Sequence, residues 1–105
     1  MKPINVAFAS KKLEKEVESI SDKEFKDEIE EIINKLKEKP DSGIHIPQKL
    51  WPKEYIKLYC ITNLWKFDLR NGCRIIYTIK NDELRILCII LDCFSHKEYE
   101  RKFKY

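Results

Sequence analysis

Ile4, Val6 and Phe8 alternate with Asn5, Ala7 and Ala9, a period of two that predicts a short first strand with one strongly apolar face. Ser10 can cap the helix that follows, where Leu13, Val17 and Ile20 recur at helical spacing and Lys11, Lys12, Glu14, Lys15, Glu16 and Glu18 cover the outside. The segment SDKE offers a capping box, Ser21 answered by Glu24, that opens a second helix. Its stripe is Phe25, Ile29, Ile32, Ile33 and Leu36, and Pro40 and Gly43 stop it. Two amphipathic helices joined almost without a loop make a hairpin whose apolar side must lie on a sheet.

From Pro40 to Thr62 no clean period survives. Pro47 and Pro52 interrupt a segment that also carries Trp51, Tyr55 and Tyr59, so a long ordered loop is expected, with a helical turn after Pro52 and a short apolar piece from Leu58 to Ile61. Order returns at LWKFDLR, where Trp65, Phe67 and Leu69 alternate with Lys66, Asp68 and Arg70. Asn71 and Gly72 signal a hairpin into CRIIYTIK, and NDE at 81–83 turns the chain into LRILCIILDC. That last run is apolar on both faces, as a central strand covered by helices on at least one side would be. The spacing of His96, Tyr99 and Phe103 suits a short terminal helix. The expected class is α+β, in the order β-α-α-β-β-β with a short C-terminal helix and a small antiparallel sheet.

Length and composition narrow this further. The 105 residues suffice for one small domain, and 43% hydrophobic content with two glycines and four prolines argues for an ordered globular chain. No stretch is apolar enough to cross a membrane, and MKPINVAFAS runs too soon into KKLEKEVE to read as a secretory signal, so a cytoplasmic location is expected. The net charge of +3 is unevenly spread: residues 1–50 hold ten lysines against eleven acids, while residues 51–105 hold eleven basic groups, all four arginines among them, against seven acids. Planar guanidinium donors therefore sit in the half that reads as sheet, a pointer to a phosphate-bearing partner. Cys60, Cys73, Cys88 and Cys93 form no C-x-x-C pair, and only two histidines accompany them. Neither a metal nor a cofactor is expected; Cys73, Cys88 and Cys60, in apolar or strand-like surroundings, read as small buried hydrophobes, with a disulfide as the alternative in an oxidising interior.

The polar residues fall into a strand set, Lys66, Asp68, Arg70 and Arg74, and an exit set, His96, Lys97, Tyr99 and Arg101. A strict two-residue turn at Asn71 and Gly72 pairs Arg70 with Cys73 and turns Arg70 and Arg74 to opposite faces; a longer turn with a bulge pairs Arg70 with Arg74 on one face. If Lys66, Arg70, Arg74, His96 and Tyr99 line one shallow cleft, they could cleave an RNA phosphodiester without metal. Histidine, with an unperturbed pKa of about 6.5, serves either proton step, arginine supports the charge on the phosphorane, and tyrosine orients or stacks on a base. A purely structural reading stands beside this. Lys66 and Asp68 can be a solvent-face ion pair, His96 can open the last helix, and Tyr99 and Phe103 can close the core.

The element order, with NLWKFDLRNGCRIIYTI followed by ILDCFSHKEYERKF, resembles the RelE/ParE superfamily of type II toxin–antitoxin toxins. The resemblance implies a single toxin domain over residues 1–105, a sheet packed by an N-terminal helical hairpin, and a ribosome-dependent endoribonuclease that cuts mRNA by 2′-hydroxyl attack. It implies catalytic roles for His96, Arg74, Lys66 and Tyr99, substrate contacts from Arg70, Lys97 and Arg101, and a cognate antitoxin as partner beside the ribosome and its mRNA. Asp68 stands where strongly basic members have a second lysine. The same fold also serves toxins that act on DNA gyrase without nuclease residues, and a non-catalytic interaction domain is a further alternative.

Overall fold

The computed structural model describes residues 2–70, 72–94 and 101–103; His96, Lys97 and Tyr99 lie outside the described residues. Strand β1 (Ile4–Phe8) leads into helices α1 (Lys11–Glu18) and α2 (Lys23–Glu38), then a two-residue strand β2 (Ile44–His45) and a short helix α3 (Lys53–Tyr59). Strands β3 (Trp65–Asp68), β4 (Arg74–Asn81) and β5 (Ile86–Phe94) follow. Arg101, Lys102 and Phe103 are helical.

Local chemistry explains most of these boundaries. The Ser10 side chain accepts from the Leu13 amide and starts α1. At α2 the expected capping box is displaced by one residue: Asp22, not Ser21, accepts from the Phe25 amide at 3.2 Å. Either residue could cap, and the carboxylate adds a favourable interaction with the helix dipole. Lys39 closes α2 immediately before Pro40, which cannot continue it.

The sheet runs β1-β5-β4-β3-β2. It is mixed rather than antiparallel, because the helical hairpin carries the chain across one face and leaves β1 parallel to β5, from Ile4 beside Ile86 to Phe8 beside Ile90. The other pairings are antiparallel. β2 and α3 also extend the expected order within the segment read as a loop. Leu58 lies exposed on α3 and only Ile61 of that apolar piece is buried.

Two cores sandwich the sheet. On one face α1 and α2 bury Leu13, Val17, Ile29, Ile32 and Leu36 against Ile75, Tyr77, Cys88 and Ile90. On the other, Tyr55 of α3 packs with Ile46, Ile61, Leu64, Ile76, Leu91 and Phe103. Coverage on both faces is why β5 reads as a continuous apolar run. Within it, Ile76 pairs with Asp92 but Tyr77 pairs with Ile90, so Leu91 is the extra residue of a β-bulge. The bulge changes the alternation, which brings Cys93 back to the hairpin face and leaves Asp92 facing α3.

Candidate target-binding site

Alternation along β3 and β4 directs Trp65, Phe67, Ile75 and Tyr77 to the hairpin and Lys66, Asp68 and Arg74 to the opposite face. Asp68 and Arg74 are direct cross-strand partners, and Arg74 Nε lies 2.7 Å from Asp68 Oδ1. Lys66 Nζ lies 3.7 Å from the same oxygen. Two cations thus share one carboxylate. Arg74 and Lys66 are largely buried, at 17% and 19% side-chain exposure, whereas Asp68 stands 43% exposed. Arg74 Nη1 also donates to the carbonyls of Gly72 (2.9 Å) and Cys73 (3.3 Å), so the turn itself holds the guanidinium in place.

Arg70 does not join this cluster. The register matches neither turn expected from the sequence: the Leu69 amide donates to Cys73 O, Gly72 N–H donates to Leu69 O, and Arg70 falls inside the turn itself. Gly72 adopts a φ of 81°, the left-handed conformation that glycine accepts at no steric cost. Arg70 reaches back to α2, where Glu28 and Glu31 lie 3.5 and 3.7 Å from its guanidinium and Glu28 also accepts from its backbone amide. At 80% exposure this pair contributes at most about 1 kcal/mol, and it tethers the turn to the hairpin.

The exit set is only partly described. Arg101 is exposed, while Phe103 is buried against Tyr55, as its spacing suggested. His96, Lys97 and Tyr99 are outside the described residues. The remaining histidine, His45, packs edge-on against Trp65 at 5.1 Å, beside a side chain of the hairpin face rather than that of Lys66 and Arg74.

A second polar cluster lies under α3, where the sequence reading placed none. The Tyr55 hydroxyl donates to Asp92, Lys102 pairs with Glu54, and Lys102 Nζ sits 5.4 Å from the centre of the Tyr55 ring. An acid inside the apolar run IILDC was the available signal, since a buried carboxylate demands a donor. Burial pushes the Asp92 carboxyl above its usual range, with Glu54 and Glu16 adding to the rise and Tyr55 and Lys102 opposing it. Burial, then the bond to Asp92, raises the Tyr55 phenol, which remains the proton donor.

A raised carboxyl pKa in the folded state means that folding favours the protonated form. Stability contributed by Asp92 is therefore greatest at acid pH and declines as pH rises from the unfolded value of about 3.8 through the higher folded one. Asp92→Asn keeps an acceptor for Tyr55 without the charge. The urea midpoint of the variant should gain on that of the wild type as pH rises from 3 to 6; a constant difference would remove desolvation as the dominant cause.

Among known protein families, the one described as the ParE toxin of type II toxin–antitoxin systems, parDE, matches residues 8–92. The chain belongs to the ParE toxin family. No curated protein and no solved structure matches it.

Membership in the ParE family replaces the endoribonuclease expected from the sequence. ParE toxins are the non-nucleolytic, gyrase-directed branch of the superfamily, so the mRNA-cutting activity and the ribosome and mRNA as partners are corrected. The ParE match agrees with a RelE/ParE-like α+β fold whose helices pack a mixed sheet. Among the described residues, no group of histidine, cysteine and acidic side chains is arranged to hold a metal through three or more ligands, and no helix is long and apolar enough to cross a membrane.

Proposed function

We propose that residues 1–105 act as one cytoplasmic toxin domain that inhibits DNA gyrase by binding it, and that a cognate antitoxin restrains the toxin. The observation that carries this reading is the ParE family match over residues 8–92. The Lys66–Asp68–Arg74 cluster supports a binding role. Its cations are held against a fixed carboxylate, an arrangement suited to recognising an anionic group on a partner surface rather than to moving protons. Arg101, exposed beside the Lys102–Glu54 pair, and His96, Lys97 and Tyr99 are proposed as further contacts of the same target.

The test is plasmid supercoiling by gyrase with ATP. The purified protein should block it, and Arg74→Ala and Lys66→Ala should each raise the concentration for half-inhibition about tenfold, equivalent to about 1.4 kcal/mol of binding. Both variants should keep the wild-type far-UV circular dichroism. Full supercoiling in the presence of a large molar excess of wild-type protein would overturn the proposal. Inhibition that is unchanged by either substitution would retain gyrase as target and remove this cluster as the contact.

A further inference from the structure

The sheet ends on two unlike edges. β2 is blunted, since it has only two residues and Pro47 follows closely. β1 has five residues, INVAF, with no charge, no proline and no bulge, the devices that keep an outer strand from pairing. The nearby cation, Lys2, is tied to the β4–β5 turn, where its Nζ donates to Asn81 Oδ1 at 2.7 Å and to the Asp82 carbonyl at 2.6 Å. The bonds to β5 show which backbone groups are left over. The Ile86 amide donates to the Pro3 carbonyl and the Ala9 amide to the Ile90 carbonyl, so the odd-numbered residues face β5. The amides and carbonyls of Ile4, Val6 and Phe8 therefore point out of the sheet, and among the described residues no backbone group meets them.

Those residues are symmetric about the middle of the strand, so a second copy of the same strand completes them. A two-fold axis through Val6 runs two copies of β1 antiparallel, with Val6 opposite the partner's Val6 and Ile4 opposite the partner's Phe8. Each of these is then a hydrogen-bonded pair that exchanges both N–H···O=C bonds, and every outward amide and carbonyl in both copies finds a partner. The side chains agree with this pairing. Ile4, Val6 and Phe8 pack on the hairpin-side core yet stay only half-buried, and across the axis they cover one another's outer flanks. On the opposite face, exposed Asn5 meets the partner's exposed Ala7. Nowhere along Ile4–Phe8 do like charges oppose each other, although the chain as a whole carries a net charge of +3.

We propose that the outer edge of β1 is a self-association surface, and that two copies of this chain pair β1 against β1 to form one continuous sheet. Main-chain hydrogen bonds supply the attraction, and the alternating side chains fix the register on Val6. Pairing also removes a flat, uncharged edge that otherwise invites open-ended aggregation. Strands β5 and β4 separate β1 from β3, so the Lys66–Asp68–Arg74 cluster stays uncovered in the dimer and the inference stands independently of the gyrase reading.

The experiment is sedimentation velocity of the full-length protein between ~1 and ~500 µM, where mass action should carry the wild type from one chain to two. Amide hydrogen exchange at Val6 and Phe8 should slow over the same range, because both groups become bonded only in the dimer. Two double variants then read the register. Asn5→Lys with Ala7→Lys sets ammonium opposite ammonium on both sides of the axis, and should raise the dissociation constant at least about tenfold. Asn5→Lys with Ala7→Glu sets opposite charges there, and should associate at least as tightly as the wild type. Both positions are exposed in the single chain, so neither pair of substitutions disturbs the core. Val6→Pro deletes an amide that β5 does not use, and should also leave the protein monomeric. A wild type that stays monomeric throughout would overturn the proposal. So would a dimer that responds alike to the two double variants, since it would be held by some other surface.

Discussion

Asn63→Ala is expected to lower the free energy of unfolding by about 2–4 kcal/mol, because one side chain substitutes for a missing stretch of strand. The regular β3–β4 ladder begins at Trp65 opposite Tyr77 and so leaves Ile79 without a backbone partner on that side. Asn63 supplies it: its Oδ1 accepts from the Ile79 amide and its Nδ2 donates to the Ile79 carbonyl, each at 2.8 Å. The same Oδ1 accepts from Trp65 Nε1 at 3.1 Å, and the Asn63 carbonyl accepts from the buried Thr78 hydroxyl at 2.7 Å. Truncation leaves both Ile79 backbone groups and the indole N–H, all part-buried, without these partners, and a stranded polar group costs up to about 1–3 kcal/mol where water cannot reach it. Urea unfolding followed by circular dichroism measures the loss. Thr62→Ala, which removes only a 3.4 Å contact at an exposed position, should stay within about 0.5 kcal/mol of wild type. Equal midpoints for Asn63→Ala and Thr62→Ala would show that water replaces the amide without penalty.

Gly43→Ala should cost a comparable amount, about 2–3 kcal/mol, by crowding rather than by loss. A Cβ at this position would lie 2.5 Å from the Tyr77 hydroxyl oxygen and 2.7 Å from the Lys66 carbonyl oxygen. The backbone oxygen cannot swing away as a flexible side-chain end could, so β3 itself must move. The Tyr77 hydroxyl is also fixed: it accepts from the Gly43 amide at 3.0 Å and donates to the Pro40 carbonyl at 2.9 Å, binding the turn after α2 to the middle of β4. A double-mutant cycle with Tyr77→Phe separates the two clashes. Removing the hydroxyl should recover part of the cost and leave the part due to Lys66. Complete recovery would mean that the strand yields freely. Because Lys66 carries one of the proposed gyrase contacts, Gly43→Ala should also weaken inhibition in the supercoiling assay, even where the variant remains folded.

How far these features were visible in the sequence depended on the range of the interaction that decides each one. The two hairpin helices were legible because an apolar stripe at 3.6-residue spacing and a serine cap act within one or two turns. Lys66 and Arg74 sharing a face followed from strand alternation once their partners were known. Arg70 was not placed, since turn length alone moves it from the sheet face to the α2 side, and the Asn71–Gly72 dipeptide admitted more than one length. The mixed sheet was hidden for a related reason: alternation identifies β1 as a strand but does not name its neighbour. Within residues 40–62, a two-residue strand and a seven-residue helix are too short to show a period between prolines. Family membership, not the geometry of any side chain, separated the gyrase-directed branch from the nucleases, because both use the same scaffold.

The pairing of β1 with β5 joins segments some eighty positions apart, Ile4 beside Ile86. On a translating ribosome the first strand emerges early and must wait for its parallel neighbour, since only β5 completes the hydrogen-bond ladder beside it. Such nonlocal closure slows folding and keeps the hairpin's greasy stripe without its full cover until β5 has been made. A chain interrupted before β5 keeps only the antiparallel β2–β3–β4 pairings and leaves β1 with no neighbour in the sheet.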